Sequence, residues 1–244
     1  MSNYFVFNGQ SSLELGIKIK SKNIYSSAKR DLSLVSIPGR DGDLVNSNRR
    51  FANATVSYTC FFPAKSIEEL TTKVRNVKKW LFSEADSYHE LTDSYDPDFF
   101  RFAIFNSKLD ISDQVNKIGS FTITFSCHPF KYQINGYEVV QNVDENDTMF
   151  NPYAFSSRPY IEIQGVGTIR ITISNSKGNK VYTFNNVDNY VVCDSELMNC
   201  YKDTFLKNND FVADDFPILE PGENVFSIDG NVDAVLVTPR WRCL

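Results

Sequence analysis

Gly119-Ser120-Phe121-Thr122-Ile123-Thr124-Phe125-Ser126-Cys127 alternates without a break between apolar and hydroxyl side chains. Phe121, Ile123 and Phe125 fall on one face and Ser120, Thr122, Thr124 and Ser126 on the other, as in a strand that covers a core with one face and meets water with the other. Residues 54–62 repeat the pattern through Val56, Tyr58 and Cys60. Shorter stretches rich in β-branched and aromatic residues read the same way at 4–7, 32–37, 99–105, 160–164, 168–174, 180–184, 190–193, 224–228 and 234–238. The expected class is mainly β.

One segment departs from period two. From Ile67 the apolar positions Leu70, Val74, Val77 and Leu81 follow steps of three and four, the stripe of an amphipathic helix. Ser66 and Glu69 form a capping box at its start, Glu68 and Glu69 suit the positive N-terminal end, and Lys78 and Lys79 suit the other. The stripe, with Trp80 beside it, is expected to pack on a sheet made by strands on both sides of it in sequence.

Between residues 130 and 157 the composition turns polar and acidic, with Asn135-Gly136 and Asp144-Glu145-Asn146-Asp147. A domain boundary is expected there, giving residues 1–134 as a β domain with one helix and residues 135–244 as a β-sandwich. Gly165-Val166-Gly167 reads as a hairpin turn between two strands of the second domain. No internal repeat or low-complexity tract occurs.

Composition bounds the function. The chain has 244 residues, 42% of them hydrophobic and 14% aromatic, with 20 Phe and 12 Tyr, enough to build sizeable cores. A net charge of −5 gives no broad basic surface for phosphates, which weighs against sequence-specific nucleic-acid binding. No apolar run is long enough for a membrane helix, and Met1-Ser2-Asn3-Tyr4-Phe5 lacks the pattern of a signal peptide, so a cytoplasmic site of synthesis is expected. Cys60, Cys127, Cys193, Cys200 and Cys243 form no C-x-x-C pair and read as reduced thiols.

Catalytic chemistry finds little material. His89 and His128 are the only histidines, and His128, beside Pro129 at a strand end, reads as structural. Nucleophile-elbow, zinc-protease, Walker and dinucleotide motifs are absent. Asp93-Ser94-Tyr95-Asp96-Pro97-Asp98 offers three carboxylates but not the glycine and distal carboxylate of a calcium loop, so it reads as a turn into the next strand. No catalytic residue, metal or cofactor is assigned.

Two segments stand out as candidate functional elements. Ile37-Pro38-Gly39-Arg40-Asp41-Gly42-Asp43 reads as a loop, with Gly39 and Gly42 free to take unusual backbone angles and Arg40 able to pair with an aspartate. With the polar residues up to Arg50 it is the candidate interface loop. Pro239-Arg240-Trp241-Arg242 follows the apolar run 234–237, so Trp241 is expected on the same core. Arg240 and Arg242 are expected on the opposite side, paired with Asp214, Asp215 or Glu220.

These segments also carry a family likeness. Phe7-Asn8-Gly9 with Ser12 and Glu14-Leu15-Gly16, the loop Ile37-Pro38-Gly39-Arg40-Asp41-Gly42, Lys79-Trp80-Leu81 and Leu91-Thr92-Asp93 resemble the distal tail proteins of siphophages. Asn151-Pro152, Arg158-Pro159, Asp194-Ser195-Glu196, Phe216-Pro217, Pro221-Gly222, Asn224 and Pro239-Arg240-Trp241-Arg242 continue the resemblance in order. The resemblance implies an N-terminal domain that assembles into a hexameric ring and a galectin-like C-terminal sandwich. It further implies a structural, non-enzymatic hub at the virion tail tip, assembled in the host cytoplasm. The implied partners are the tail tube protein, a tail-associated lysin or fibre protein and a receptor-binding protein. The alternative is a lectin-like, carbohydrate-binding adhesion module, for which Trp241 between two arginines is the one faint sign.

Overall fold

The computed structural model describes residues 3–84, 86–114 and 117–244; Met1 and Ser2, where the N-terminal reading begins, lie outside them. The chain is mainly β and divides into two compact units, Met1–Lys131 with Leu244, and Tyr132–Cys243.

The first unit contains β1 (Phe5–Phe7), β2 (Gln10–Ser11), β3 (Lys18–Asn23), β4 (Arg30–Val35), β5 (Leu44–Phe51), β6 (Ala54–Pro63), α1 (Ile67–Phe82), β7 (His89–Asp93), β8 (Phe99–Ile104), β9 (Ile111–Gln114) and β10 (Ile118–Cys127). Its main sheet runs β2-β1-β7-β8-β10-β6-β3, antiparallel in the registers described, with β9 added beside β10. The two most regular alternating segments pair with each other over ten positions, from Ile118 opposite Pro63 to Cys127 opposite Ala54. Phe121, Ile123 and Phe125 are buried together with Val56, Tyr58, Cys60 and Phe62, as the alternation dictates. Phe62 lies flat over Gly119, where a Cβ would sit 2.6 Å from its ring.

Helix α1 closes this core. Leu70, Val77, Trp80 and Leu81 are buried and Val74 is partly so, whereas Ile67, counted into the stripe from sequence, is exposed at the first turn. The Trp80 indole N–H donates to the Phe7 carbonyl at 2.9 Å, and the Phe5 ring stacks between Tyr58 (4.3 Å) and Trp80 (5.7 Å). That satisfied N–H lets the largest side chain of the helix sit inside without an orphaned donor. The Ser66 hydroxyl accepts from the Glu69 amide at 3.3 Å, but Glu69 reaches back to the Lys65 amide, one residue before the expected partner of a capping box.

The second unit contains β11 (Lys131–Gln133), which begins at the division, then α2 (Ile134–Glu138), β12 (Gln141–Asn142), β13 (Thr148–Asn151), β14 (Tyr160–Asn175), β15 (Gly178–Asp194), β16 (Asn199–Lys202), β17 (Phe205–Leu206), β18 (Phe211–Val212), β19 (Gly222–Thr238) and β20 (Arg242–Cys243). Three long strands replace six short ones. Residues 160–164 and 168–174 are a single strand, as are the two pairs of stretches that became β15 and β19. Gly165-Val166-Gly167 is therefore no hairpin turn but a bulged stretch of β14, where register shifts against both neighbours. A Cβ at Gly165 would lie 2.3 Å from the Asn231 carbonyl, so glycine is needed for the close approach of β19. Residues on both sides of the bulges, Ile161, Ile163, Ile169, Ile171 and Ile173, enter one buried cluster with Phe226, Val235 and Val237. The sandwich arises by bending long strands around one core.

The cap supplies the first test. Ser66→Ala removes an acceptor from the first turn of α1 and is expected to lower unfolding free energy by about 1 kcal/mol. Urea denaturation of the two proteins measures this, and an unchanged midpoint would contradict the role given to Ser66.

Candidate functional site

Strands β4 and β5 form a two-stranded sheet of their own, with Leu32 opposite Ser47, Leu34 opposite Val45 and Val35 opposite Leu44. The loop Ile37 to Asp43 is the tip of this ribbon. The Arg40 amide closes a turn on the Ile37 carbonyl (3.1 Å), and Gly39 and Gly42 both take positive φ with open space around them. Every residue from Ser33 to Arg50 is exposed.

Residues 37–50 read as a loop in sequence, yet Leu44–Phe51 is a strand. The alternation that marks other strands is missing because neither face of the ribbon covers a core. Its apolar residues nonetheless meet in cross-strand pairs on both faces near the tip. Leu34 (60% exposed) sits opposite Val45 (58%), and Val35 (47%) opposite Leu44 (45%), with Ile37 next to them. Adjacent strand positions point to opposite faces, so the tip is apolar above and below.

Polar contacts brace the base of the ribbon across its two strands. Arg50 Nε donates to Asp31 Oδ2 at 2.5 Å and Asn48 Nδ2 to Asp31 Oδ1 at 3.1 Å, and together they hold the Asp31 carboxyl below its ordinary range. Phe51 packs edge-on against Phe130 at 5.6 Å, and the Arg30 guanidinium lies over the Phe51 ring at 4.9 Å. The ribbon thus projects from a fixed root with a greasy, unpartnered tip.

The other candidate segment, Pro239 to Arg242, is an interior joint. Trp241 is 6% exposed and belongs to the second core, with its ring against Gly136, where a Cβ would sit 2.7 Å from Cδ1. Helix α2, missed from sequence because Asn135-Gly136 read as a turn, is bonded to this segment: the Arg240 amide donates to the Gly136 carbonyl (2.7 Å) and the Gln133 amide to the Trp241 carbonyl (2.9 Å). A buried Trp241 presents no flat platform for a sugar ring.

The two arginines find other partners than Asp214, Asp215 or Glu220. Arg240 forms a two-pronged pair with Asp194, at 2.7 and 3.0 Å, has Glu196 at 3.6 Å, and lies over the rings of Tyr137 and Tyr160 at 5.3 and 5.5 Å. Arg242 Nε donates to the Ser156 carbonyl at 2.7 Å. Period two does not apply at this end, because Arg240 has a left-handed backbone (φ 52) and the chain leaves β19 at Thr238. The motif Asp194-Ser195-Glu196 and the terminal Arg-Trp-Arg, far apart in sequence, are thereby brought to one place.

Burial pushes the Asp194 carboxyl up, but the Arg240 bonds and the Leu197 and Glu196 amides outweigh it and hold it below the usual range. Tyr132 donates to Glu196 at 2.8 Å, and burial raises its hydroxyl pKa. Arg240 thus sits between the carboxylates of Asp194 and Glu196, with Tyr132 donating to the second.

The remaining carboxylate-rich and histidine positions are also engaged internally. Asp93 accepts from the Tyr95 and Asp96 amides and from the Tyr58 hydroxyl, and Asp96 pairs with Lys131 at 2.6 Å. His128 packs on Tyr88 at 4.2 Å, and His89 Nε2 contacts Ser87 Oγ and the Glu84 carbonyl. Among the described residues no group of His, Cys, Asp and Glu is arranged to hold a metal ion.

A main antiparallel sheet closed by one helix, with a two-stranded ribbon thrown out of it, fits a known family. Residues 7–127 match the model of the phage tail protein RIFT-related domain. The first unit is a phage tail domain. Across its whole length the chain shares the fold of the SPP1 Dit (gp 19.1) protein, with a TM-score of 0.76, 14% identity and 100% of both chains covered. That relative is described as a paradigm of the hub adsorption apparatus in phages infecting Gram-positive bacteria. Chains of the phage P2 baseplate in its activated conformation, with calcium and with strontium, align at a TM-score of 0.49, 9% identity and 97% of both chains. No curated protein matches the chain in sequence. The resemblance to siphophage distal tail proteins, drawn from motifs spread along the chain, is borne out.

Two expected outcomes follow from the terminal joint. Trp241→Ala is expected to cost about 3 to 5 kcal/mol and lower the melting temperature of the full chain; an unchanged melting curve would remove Trp241 from the core. Because the folded-state pKa of Asp194 lies below its unfolded value, the pair contributes fully above that unfolded value, near pH 3.8, and its contribution is lost as pH falls through the lower folded-state pKa. Asp194→Asn is expected to destabilise by about 3 kcal/mol or more at neutral pH, since it leaves Arg240 buried with a weakened partner. It should also flatten the acid limb of the stability profile, and an acid limb identical to that of the unmodified chain would overturn the assignment.

Proposed function

We propose that this chain is a non-enzymatic structural subunit of a phage tail tip. Six copies close into a hub ring that joins the tail tube to the tip proteins below, a tail-associated lysin or fibre protein and a receptor-binding protein. The single observation that carries this reading is the β4–β5 ribbon. A two-stranded ribbon is at best marginally stable in water by itself, and this one is apolar on both faces of its tip. Such an element gains its stability by lying against another surface. A head-to-tail contact, in which the ribbon of one copy packs on the body of the next, closes into a ring when the rotation allows. The phage tail family of residues 7–127 and the fold shared with a protein described as a hub both support this role. Among the described residues no group of His, Cys, Asp and Glu is arranged to hold a metal ion.

Light scattering after gel filtration, with negative-stain microscopy of the same fraction, tests the proposal. A six-fold ring with a central opening is expected. Leu34→Asp combined with Val45→Asp, on one face of the ribbon, is expected to yield a folded monomer with the melting behaviour of the isolated subunit. A monomeric mass for the unmodified chain across a wide concentration range would overturn the ring.

A further inference from the structure

Two of the five cysteines face each other. Cys193 on β15 and Cys200 on β16 are direct register partners, and both are fully buried in the second core. The backbone of Cys200 points away from β15: its amide donates to Asn208 Oδ1 at 2.6 Å and its carbonyl accepts from the Lys207 amide at 2.7 Å. Cys193 and Cys200 are therefore a pair without mutual backbone hydrogen bonds, the closer of the two kinds in an antiparallel ladder, with Cα atoms about 4.5 Å apart. A disulfide spans Cα separations of about 4.4 to 6.8 Å. By contrast, Cys60 stands opposite Phe121 and Cys127 opposite Ala54.

We propose that Cys193 and Cys200 are a modification site, a dithiol that closes to a cross-strand disulfide when the chain meets a low-molecular-weight disulfide. The reaction is a thiol–disulfide exchange in two steps. One protein thiol loses its proton, and its thiolate attacks a sulfur of the small disulfide, breaking that S–S bond and releasing one small thiol. The second protein thiolate attacks the protein sulfur of the mixed disulfide, forming the Cys193–Cys200 bond and releasing the other small thiol. Two protein thiols are oxidised, one small disulfide is reduced to two thiols, and the two protons end on those thiols.

Burial sets the rate. Neither sulfur meets solvent in the closed fold, and the neighbouring Cys200 thiol together with burial raises the pKa of Cys193. Reaction requires β16 to lift from β15. That strand is held by three register pairs on one side and by two with the short β17 on the other, so it is among the less firmly anchored parts of its sheet. The bond would staple the β15–β16 hairpin, whose turn carries exposed Leu197 and Met198.

Incubation of the full chain with oxidised glutathione, followed by thiol counting in denaturant and by non-reducing peptide mapping, tests the proposal. Free thiols are expected to fall from five to three, with loss of two hydrogens in intact mass and a peptide linking Cys193 to Cys200. Cys193→Ser and Cys200→Ser, assayed separately, are each expected to lose this link. Retention of five thiols after prolonged incubation, or a bond joining other cysteines, would overturn it.

Discussion

A sheet in water needs something to cover it, and every part of this chain is arranged by how that need is met. In the first unit α1 meets it. Trp80, Leu81 and Val77 lie over the aromatic bed of Phe5, Tyr58 and Phe125, with the indole N–H bonded to the Phe7 carbonyl and the Tyr58 hydroxyl to Asp93. In the second unit no comparable helix exists, and the long strands cover themselves by bending at bulges. The β4–β5 ribbon is the part of the chain where neither solution is applied. Its root is fixed by Asp31, Arg50 and Phe51, while its tip keeps its apolar pairs in solvent. The chain is complete as a fold and keeps an apolar surface open to solvent.

The two units also differ in charge. Residues 132–243 carry 16 Asp and Glu against 8 Lys and Arg, so the overall excess of negative charge resides in the second unit and the remainder of the chain is mildly positive. Arg240 and Asp194 show what the second unit does with charge inside itself: it matches it with a two-pronged bond and places two tyrosine rings against the cation. Most other acidic residues stay at the surface, where they favour solubility.

Legibility followed burial. The paired strands β6 and β10 and the helix α1 could be read because one face of each is pressed on a core, which imposes period two or period 3.6 on the residues. Strand β5, Leu-Val-Asn-Ser-Asn-Arg-Arg-Phe, carries no such imprint because both its faces meet solvent, and it passed for a loop. The glycines of β14 misled for a different reason. Glycine marks a turn and a bulge alike, and only the close passage of Asn231 over Gly165 distinguishes them. For the candidate site, the sequence pointed to the loop at residues 37–43 but not to the strands that lift it. It singled out Trp241 and Arg240 but not Asp194 as the counter-charge, since that pairing depends on a left-handed residue at the end of β19.

The polarity that hid β5 also governs how the ribbon meets other chains in solution. An apolar ribbon with two open edges invites the edges of other copies, and indiscriminate stacking of that kind ends in aggregates. Strand β5 carries Asn46, Asn48, Arg49 and Arg50, Arg49 breaks the regular backbone with φ 56, and Arg40, Asp41 and Asp43 ring the tip. These residues act as gatekeepers. Charge and a distorted backbone make a stray edge-to-edge match unfavourable, while the apolar faces stay open to a surface that approaches from above or below. The ribbon discriminates by direction of approach between a stray edge and an apolar surface.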